Sequence, residues 1–212
     1  MRKLPLTSAE RARHWGAAYA ERGVRGVSWY QAAPRVSLDL IEALGVDHDA
    51  AVVDVGGGSS SLADELLDQG FVDVSVLDLS AAALAETRRR LPAAAHVTLV
   101  HEDLLVWRPA RRFDLWHDRA VFHFLVAPDD RAGYLQTLRS AIRPEGFVVL
   151  ATFAPDGPES CSALPVARYS AQDLADLLGA EFDLRETRRE EHVTPGGVVQ
   201  PFTWVAGPIR PA

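Results

Sequence analysis

Val52-Val53-Asp54-Val55-Gly56-Gly57-Gly58-Ser59-Ser60 is the stretch on which the reading of this chain turns. A β-branched apolar run ends in three consecutive glycines and then meets small polar residues, the pattern of a strand that gives way to a tight turn before a helix. The predicted strand covers 51–55 and the helix after it 61–69, stopped by Gly70, a residue favoured just past a helix end. Backbone without side chains lets a ligand approach closely, and open α/β sheets bind their ligands in the crevice beyond the carboxyl ends of the strands. A purely structural tight turn would use the same glycines, so the surrounding elements have to decide.

Downstream, short apolar runs alternate with helical patterns, the signature of a parallel sheet covered by helices. Further strands are predicted at 72–77, 97–100, 113–116 and 146–153. Ser80 is placed to cap an Ala-rich helix that ends near Pro92. Pro128 opens a helix carrying Tyr134, Leu135, Leu138 and Ile142 at helical spacing, closed by Pro144. A helix at 170–179 precedes strands at 182–192 and 200–206, and Pro195-Gly196-Gly197 between them is a hairpin signal, so the sheet should end in an antiparallel pair. Upstream, Thr7-x-x-Glu10 is a capping box for a helix through Tyr19, and Pro34 begins another through Leu44. These two helices have no strands of their own and are expected to cap the sheet. The expected organisation is a single domain over 1–212, with a helical cap at 1–49 and an α/β core at 50–206.

Composition narrows the function. The 212 residues carry 22 Lys+Arg against 29 Asp+Glu, a net charge of −7, and 48% are hydrophobic, which excludes disordered and collagen-like chains. A negative surface repels phosphate backbones and anionic lipid, so neither nucleic acid nor a membrane is expected as a partner. The densest basic run, Arg88-Arg89-Arg90, falls at a helix end, where cations complement the helix dipole. The single cysteine, Cys161, has no partner for an internal disulfide or a zinc site. Residues 1–15 lack an apolar stretch of signal-peptide length, and no run reaches the roughly 18 apolar residues of a membrane span, so the expected location is cytoplasmic. His96 and His101 are expected on opposite faces of a strand, and no metal is expected.

Acidic residues stand at the ends of the first three strands. Asp78 follows the glycine loop by about 20 residues, where a carboxylate can accept hydrogen bonds from both hydroxyls of a ribose. Asp103, in His101-Glu102-Asp103-Leu104, is placed to read an adenine amino group. A dinucleotide site would use the same loop and the same second-strand acid. Two features count against it: Asp54 before the first glycine would repel a pyrophosphate while suiting a cofactor with a cationic amino-acid portion, and Ser61 stands where G-x-G-x-x-G requires its third glycine.

Asp54-x-Gly56-x-Gly58, Asp78, Asp103 and Phe113-Asp114-Leu115-Trp116, in that order and spacing, resemble the motifs of class I S-adenosylmethionine-dependent methyltransferases. The resemblance covers roughly 50–206 and implies a Rossmann-like, seven-stranded, mostly parallel sheet with the C-terminal antiparallel hairpin. It implies S-adenosyl-L-methionine as cofactor, with Gly56, Gly57 and Gly58 at its methionine part and Asp54 orienting it. Asp78 with Leu79 would hold the ribose, Asp103 with Leu104 would meet the adenine, and Trp29 would join the cofactor site. Ser60 replaces the family's usual third glycine. His14-Trp15, Val27-Ser28-Trp29-Tyr30-Gln31 and Trp116-His117-Asp118-Arg119-Ala120 are similar to the thiopurine and tellurite-resistance type of small methyltransferases. The last of these segments is also similar to methyltransferases that modify a lysine of translation elongation factors, although those have an Asp-Lys-Gly-Thr-like stretch at Asp118-Arg119-Ala120-Val121.

In such a fold the acceptor approaches from outside the ends of the first and fourth strands, so catalytic candidates concentrate in 117–125: Asp118, His123 and His117. Methyl transfer is an in-line displacement that rests on positioning, with a base needed only for an acceptor that arrives protonated. The competing assignment is a buried core histidine at 117 and an Asp118–Arg119 ion pair holding the loop. Among Trp29, Tyr30, Trp116, Phe122 and Phe124, about two are expected in the pocket and the others in the core, with Trp29 foremost and Trp15 anchoring the cap helix. The stretch 154–169 is long enough for a binding loop, with Arg168 and Tyr169 at its end. The expected function is methyl transfer to a nucleophile on a small-molecule acceptor by a monomer or homodimer. A protein lysine methyltransferase and a cofactor-binding module without catalysis are the alternatives.

Overall fold

The computed structural model describes residues 6–92 and 95–210. Two helices, α1 (Ser8–Arg22) and α2 (Arg35–Ala43), precede the first strand. Thr7 and Glu10 form the expected capping box at α1. Then follow β1 (Ala51–Val55), α3 (Leu62–Asp68), β2 (Asp73–Asp78), α4 (Ala81–Arg90), β3 (Val97–His101) and β4 (Phe113–Arg119). A single 3-10 turn (Phe122–Phe124) leads to α5 (Pro128–Ala141) and β5 (Ile142–Phe153). The chain closes with the short pair β6 (Ser160–Cys161) and β7 (Leu164–Pro165), then α6 (Ala171–Leu178), β8 (Glu186–Val193) and β9 (Val199–Pro208).

Seven strands form one sheet in the order β3-β2-β1-β4-β5-β9-β8. The first five in that order run parallel, and β9 pairs antiparallel with both β5 and β8. This is the Rossmann-like architecture with its C-terminal antiparallel pair. All five residues of β1 are buried, as a central strand covered on both faces requires. One apolar cluster joins α2, α3 and the face of Leu115, Val149 and Trp204; the other joins α5, α6 and the face of Trp116, Val148 and Val205. From β1 the chain winds outward to β2 and β3, then returns to β4 on the other side of β1. That reversal leaves a crevice above the carboxyl ends of β1 and β4.

Two strands are longer than the apolar pattern indicates. β4 continues through His117, Asp118 and Arg119, because β5 pairs with all three and β1 with the first two. β5 begins at Ile142, with a register shift opposite Phe113 and Leu115. The 154–169 stretch is tied down: β6 and β7 turn through Ser162 and Ala163, both with positive φ (50° and 61°). Backbone N–H groups of Ala167 and Tyr169 donate to the carbonyls of His123 (2.8 Å) and Phe153 (3.0 Å). Among the described residues, no helix is long and apolar enough to cross a membrane.

Candidate active site

The crevice is a cleft of about 970 Å³ including its open mouth, at the upper end of the range of small-molecule sites. Gly56, Leu77, Asp78, Leu79, Asp103 and Leu104 line one end; Arg119, His123, Phe124, Phe153, Cys161 and Phe202 line the other. A smaller cavity beside it is lined by Asp54, Gly56, Gly57, His117 and Tyr30, and shares Trp29 and Arg119 with the main cleft. Of the twelve residues singled out in the sequence, ten therefore border these two spaces, the exceptions being Gly58 and Asp118.

The glycine loop is shaped by two carboxylates. Gly56 and Gly58 have φ of +67° and +42°, and a Cβ on Gly56 would run into the Val121 side chain. On Gly57 a Cβ would strike the Asp54 carboxylate, and on Gly58 it would come within 2.6 Å of Asp78 Oδ2. Gly58 thus makes room for Asp78 from behind and does not face the cleft. Asp78 Oδ1 accepts from the Ser80 backbone N–H (2.6 Å), which fixes the carboxylate at the mouth of α4. Burial, reinforced by the neighbouring Asp54 charge, pushes its pKa up to about 7. Asp54 Oδ1 lies 2.7 Å from His117 Nδ1, and His117 Nε2 lies 3.0 Å from Ser37 Oγ on α2.

α1 closes the end of the cleft lined by Asp78 and Asp103. Arg11 Nη2 donates to Asp103 Oδ2 (2.6 Å), Ser8 Oγ donates to the same oxygen, and the Leu105 N–H donates to Oδ1 (3.0 Å). Asp103 is therefore first of all a latch for the cap helix, and these donors hold its carboxyl below the usual range against the effect of burial. Its expected role toward an adenine amino group is narrowed to what these donors leave open. Tyr19 of α1 packs edge-on against Trp29, whose Nε1 donates to the Tyr19 hydroxyl (3.3 Å).

The acceptor end differs from expectation at several residues. Asp118 is wholly buried, and its carboxylate accepts from Tyr134 Oη (2.8 Å) and from the N–H groups of Val121 (2.9 Å) and Phe122 (3.2 Å). It anchors the turn after β4 and borders neither cavity, so its candidacy as a catalytic residue is corrected to a structural role. The competing Asp118–Arg119 ion pair does not form either, because consecutive strand residues point to opposite faces. Arg119 instead reaches across the cleft floor: Nη1 donates to the Trp29 carbonyl (3.1 Å), Nε lies 3.6 Å from Glu190 Oε2, and the guanidinium stacks 4.5 Å from the Phe202 ring centroid. His117 lines the smaller cavity and is bonded there to Asp54. His123 borders the cleft floor; burial, with the Arg119 charge, pushes its pKa down to about 3, so its ring is neutral.

Trp29 and Phe124 line the cleft, whereas Trp116 and Phe122 are core residues. Trp15, expected to anchor the cap, also lines the cleft, edge-on to both Trp29 (5.6 Å) and Phe124 (4.8 Å). Arg168 donates to the Gly157 carbonyl and to Glu159, and Tyr169 packs on Phe122, so neither reaches the cleft. Sequence reasoning overlooked Arg11, Tyr19, Phe153, Gln200 and Phe202 as cleft residues. The first two lie on one face of α1 eight residues apart, a signal that was available; the others are brought in by strand pairing alone.

The strand order and the crevice above β1 and β4 are those of the class I S-adenosylmethionine-dependent methyltransferase fold. Residues 53–148 match the family described as Methyltransferase domain. The chain is 29% identical over 144 residues to EEF1A lysine methyltransferase 2 of Danio rerio, covering 62% of this chain and 60% of that protein. It is 29% identical over 100 residues to thiocyanate methyltransferase 1 of Brassica oleracea, covering 47% and 44%. The matched regions thus span less than two thirds of either relative. Burkholderia thailandensis 1,6-didemethyltoxoflavin-N1-methyltransferase, solved with 1,6-didemethyltoxoflavin and S-adenosylhomocysteine, shares the fold at a TM-score of 0.74 and 22% identity, over 100% of this chain and 94% of that one. The space that Gly56 and Gly57 leave beside Asp54, and the Asp78 carboxylate at the end of β2, fit the cofactor of this class.

Proposed function

We propose that this protein transfers a methyl group from S-adenosyl-L-methionine to a small-molecule acceptor. The observation that carries the reading is the roof formed by Trp15, Trp29 and Phe124 in edge-on contact over the acceptor end of the cleft. It supports a compact acceptor that fits inside over a side chain presented by a folded partner. The names of the toxoflavin-type and thiocyanate relatives agree with this.

When bound, the cofactor supplies a methyl group on a sulfonium centre. Asp78 accepts the ribose hydroxyls. Asp54, held by His117, orients the cationic amino-acid end, and Leu79 and Leu104 pack on the adenosine. Trp29, gripped through its carbonyl by Arg119, covers the transfer point and excludes water. A second reading, methyl transfer to a protein lysine, draws on the Danio rerio relative. Incubation with labelled methyl donor and cell extract, split into protein and small-molecule fractions, tests the two. Label in the small-molecule fraction is expected; label confined to protein overturns the proposal.

A further inference from the structure

The floor of the cleft holds side-chain nitrogens that no described residue hydrogen-bonds, on an arginine otherwise held by the Trp29 carbonyl and Glu190 and on a buried histidine. Arg119 Nε and Nη2 and His123 Nε2 are buried and make no hydrogen bond, although both residues line the cleft. The Arg119 side chain is 9% exposed, and His123 is 0% exposed. Orphaned donors of this kind cost stability unless a ligand satisfies them, and natural structures retain few. The chain is bent to bring them together: Ala120, directly after Arg119, has φ of 73°, an uncommon conformation outside glycine. The turn it begins returns His123 to the side of the cleft that Arg119 occupies.

The chemistry of His123 follows from its other nitrogen. The Phe153 backbone N–H donates to Nδ1 (3.4 Å), so Nδ1 is the unprotonated nitrogen and Nε2 carries the hydrogen. Both orphaned groups are therefore donors, one of them cationic. Glu190, 3.6 Å from Arg119 Nε, offsets the guanidinium charge from one side and leaves Nη2 and His123 Nε2 as the donors without a partner. Glu190 already accepts from Gln31 Nε2 (2.7 Å) and Trp204 Nε1 (3.0 Å), His192 is bound to the Ser28 carbonyl (2.7 Å), and burial pushes the Cys161 thiol up, keeping it neutral. Among the described residues, no carboxylate on the floor is free to act as a base toward an amine.

We propose that Arg119 and His123 form an anion-holding pair, and that the acceptor is a planar aromatic or conjugated thiol, phenol or acidic N–H compound bound as its conjugate base. This rests on the small-molecule reading above. The aromatic walls take the flat ring, and the two donors point at the charged heteroatom or the atom conjugated with it. An acceptor that arrives as an anion gives its lone pair to the methyl carbon as the carbon–sulfur bond breaks with its electrons remaining on sulfur. The positive charge of the sulfonium and the negative charge of the acceptor cancel, and no proton is left to remove. The pair thus does the work of a general base by favouring the ionised acceptor.

The probe is 4-nitrophenol, added to the protein loaded with S-adenosylhomocysteine and followed by the absorbance of its phenolate as pH is varied. The bound phenol is expected to ionise at least about one pH unit below the free compound. Arg119→Gln and His123→Phe should each abolish most of that shift and weaken binding about tenfold while S-adenosylhomocysteine still binds, and Arg119→Lys should keep part of it. Benzylamine, a cation, should not displace the probe. Absence of binding, ionisation at or above the free value, or displacement by benzylamine overturns the proposal. Those wild-type readings decide it even where a variant does not fold. Label found only in protein alongside a shifted nitrophenol would overturn the small-molecule reading and leave the anion pair standing.

Discussion

His117 Nδ1 lies 2.7 Å from Asp54 Oδ1, and each side chain is 4% exposed. The contact joins β4 to β1 at the point where the glycine loop begins, with Ser37 of α2 holding the far side of the ring. A histidine that the sequence offers as a catalytic base is thereby committed to holding the Asp54 carboxylate, the group proposed to face the cofactor's cationic end.

Replacing His117 by Phe keeps the ring volume and removes both hydrogen bonds. Affinity for S-adenosylhomocysteine should fall about tenfold, equivalent to about 1.4 kcal/mol. Affinity for 5′-methylthioadenosine, which lacks the amino-acid portion, should be unchanged. Calorimetry with both ligands checks this; equal losses would mean that His117 supports the whole fold.

Asp78→Ala should weaken cofactor binding by more than about 1.5 kcal/mol, since both ribose hydroxyls lose their acceptor. Because the Asp78 carboxyl titrates near pH 7 in the ligand-free protein, the acceptor form is populated as pH rises, and affinity should increase between pH 6 and pH 8. The sign for stability is opposite. A carboxyl raised above its unfolded value of 3.8 costs folding energy that grows from about pH 4 to pH 7 and is complete above it. Asp78→Asn should therefore raise the Tm of the ligand-free protein more at pH 8 than at pH 5, as read by thermal denaturation in the two buffers.

Asp118→Ala would strand the Tyr134 hydroxyl and the N–H groups of Val121 and Phe122 in the core. A loss of about 2–4 kcal/mol in denaturant unfolding is expected, since each orphaned group carries a desolvation cost. Where the variant folds, affinity for S-adenosylhomocysteine should remain within about twofold of wild type.

Arg11→Ala removes the cap helix's main hold on Asp103. Limited proteolysis within α1 should accelerate, and S-adenosylhomocysteine should bind about tenfold more weakly as the adenosine end opens. Saturating ligand should restore protection in the wild type more completely than in the variant.

The order of strands was legible because β-branched runs, caps and glycine stops are local signals. The capping residues read from the sequence, Thr7 and Ser80, accept hydrogen bonds at helix starts, and Ser170 does so as well. The cofactor half of the site was legible for the same reason: Asp54 and Asp78 end neighbouring parallel strands, so pairing alone carries them to one edge of the sheet.

What sequence could not assign was the use of polar residues within 117–123. His117, Asp118 and Arg119 look like one polar cluster along the chain, but strand alternation sends the middle one into the core and its two neighbours to the opposite face. Asp118 thereby becomes a turn anchor, Arg119 crosses to Glu190 on β8, and His123 returns to the same cleft only through the turn at Ala120. Local pattern sets which residues stand at strand ends. Which of them hold each other, and which are left with a hydrogen to offer, depends on partners up to 90 residues away in sequence, as Trp29 is from Arg119, and only the packed structure supplies those.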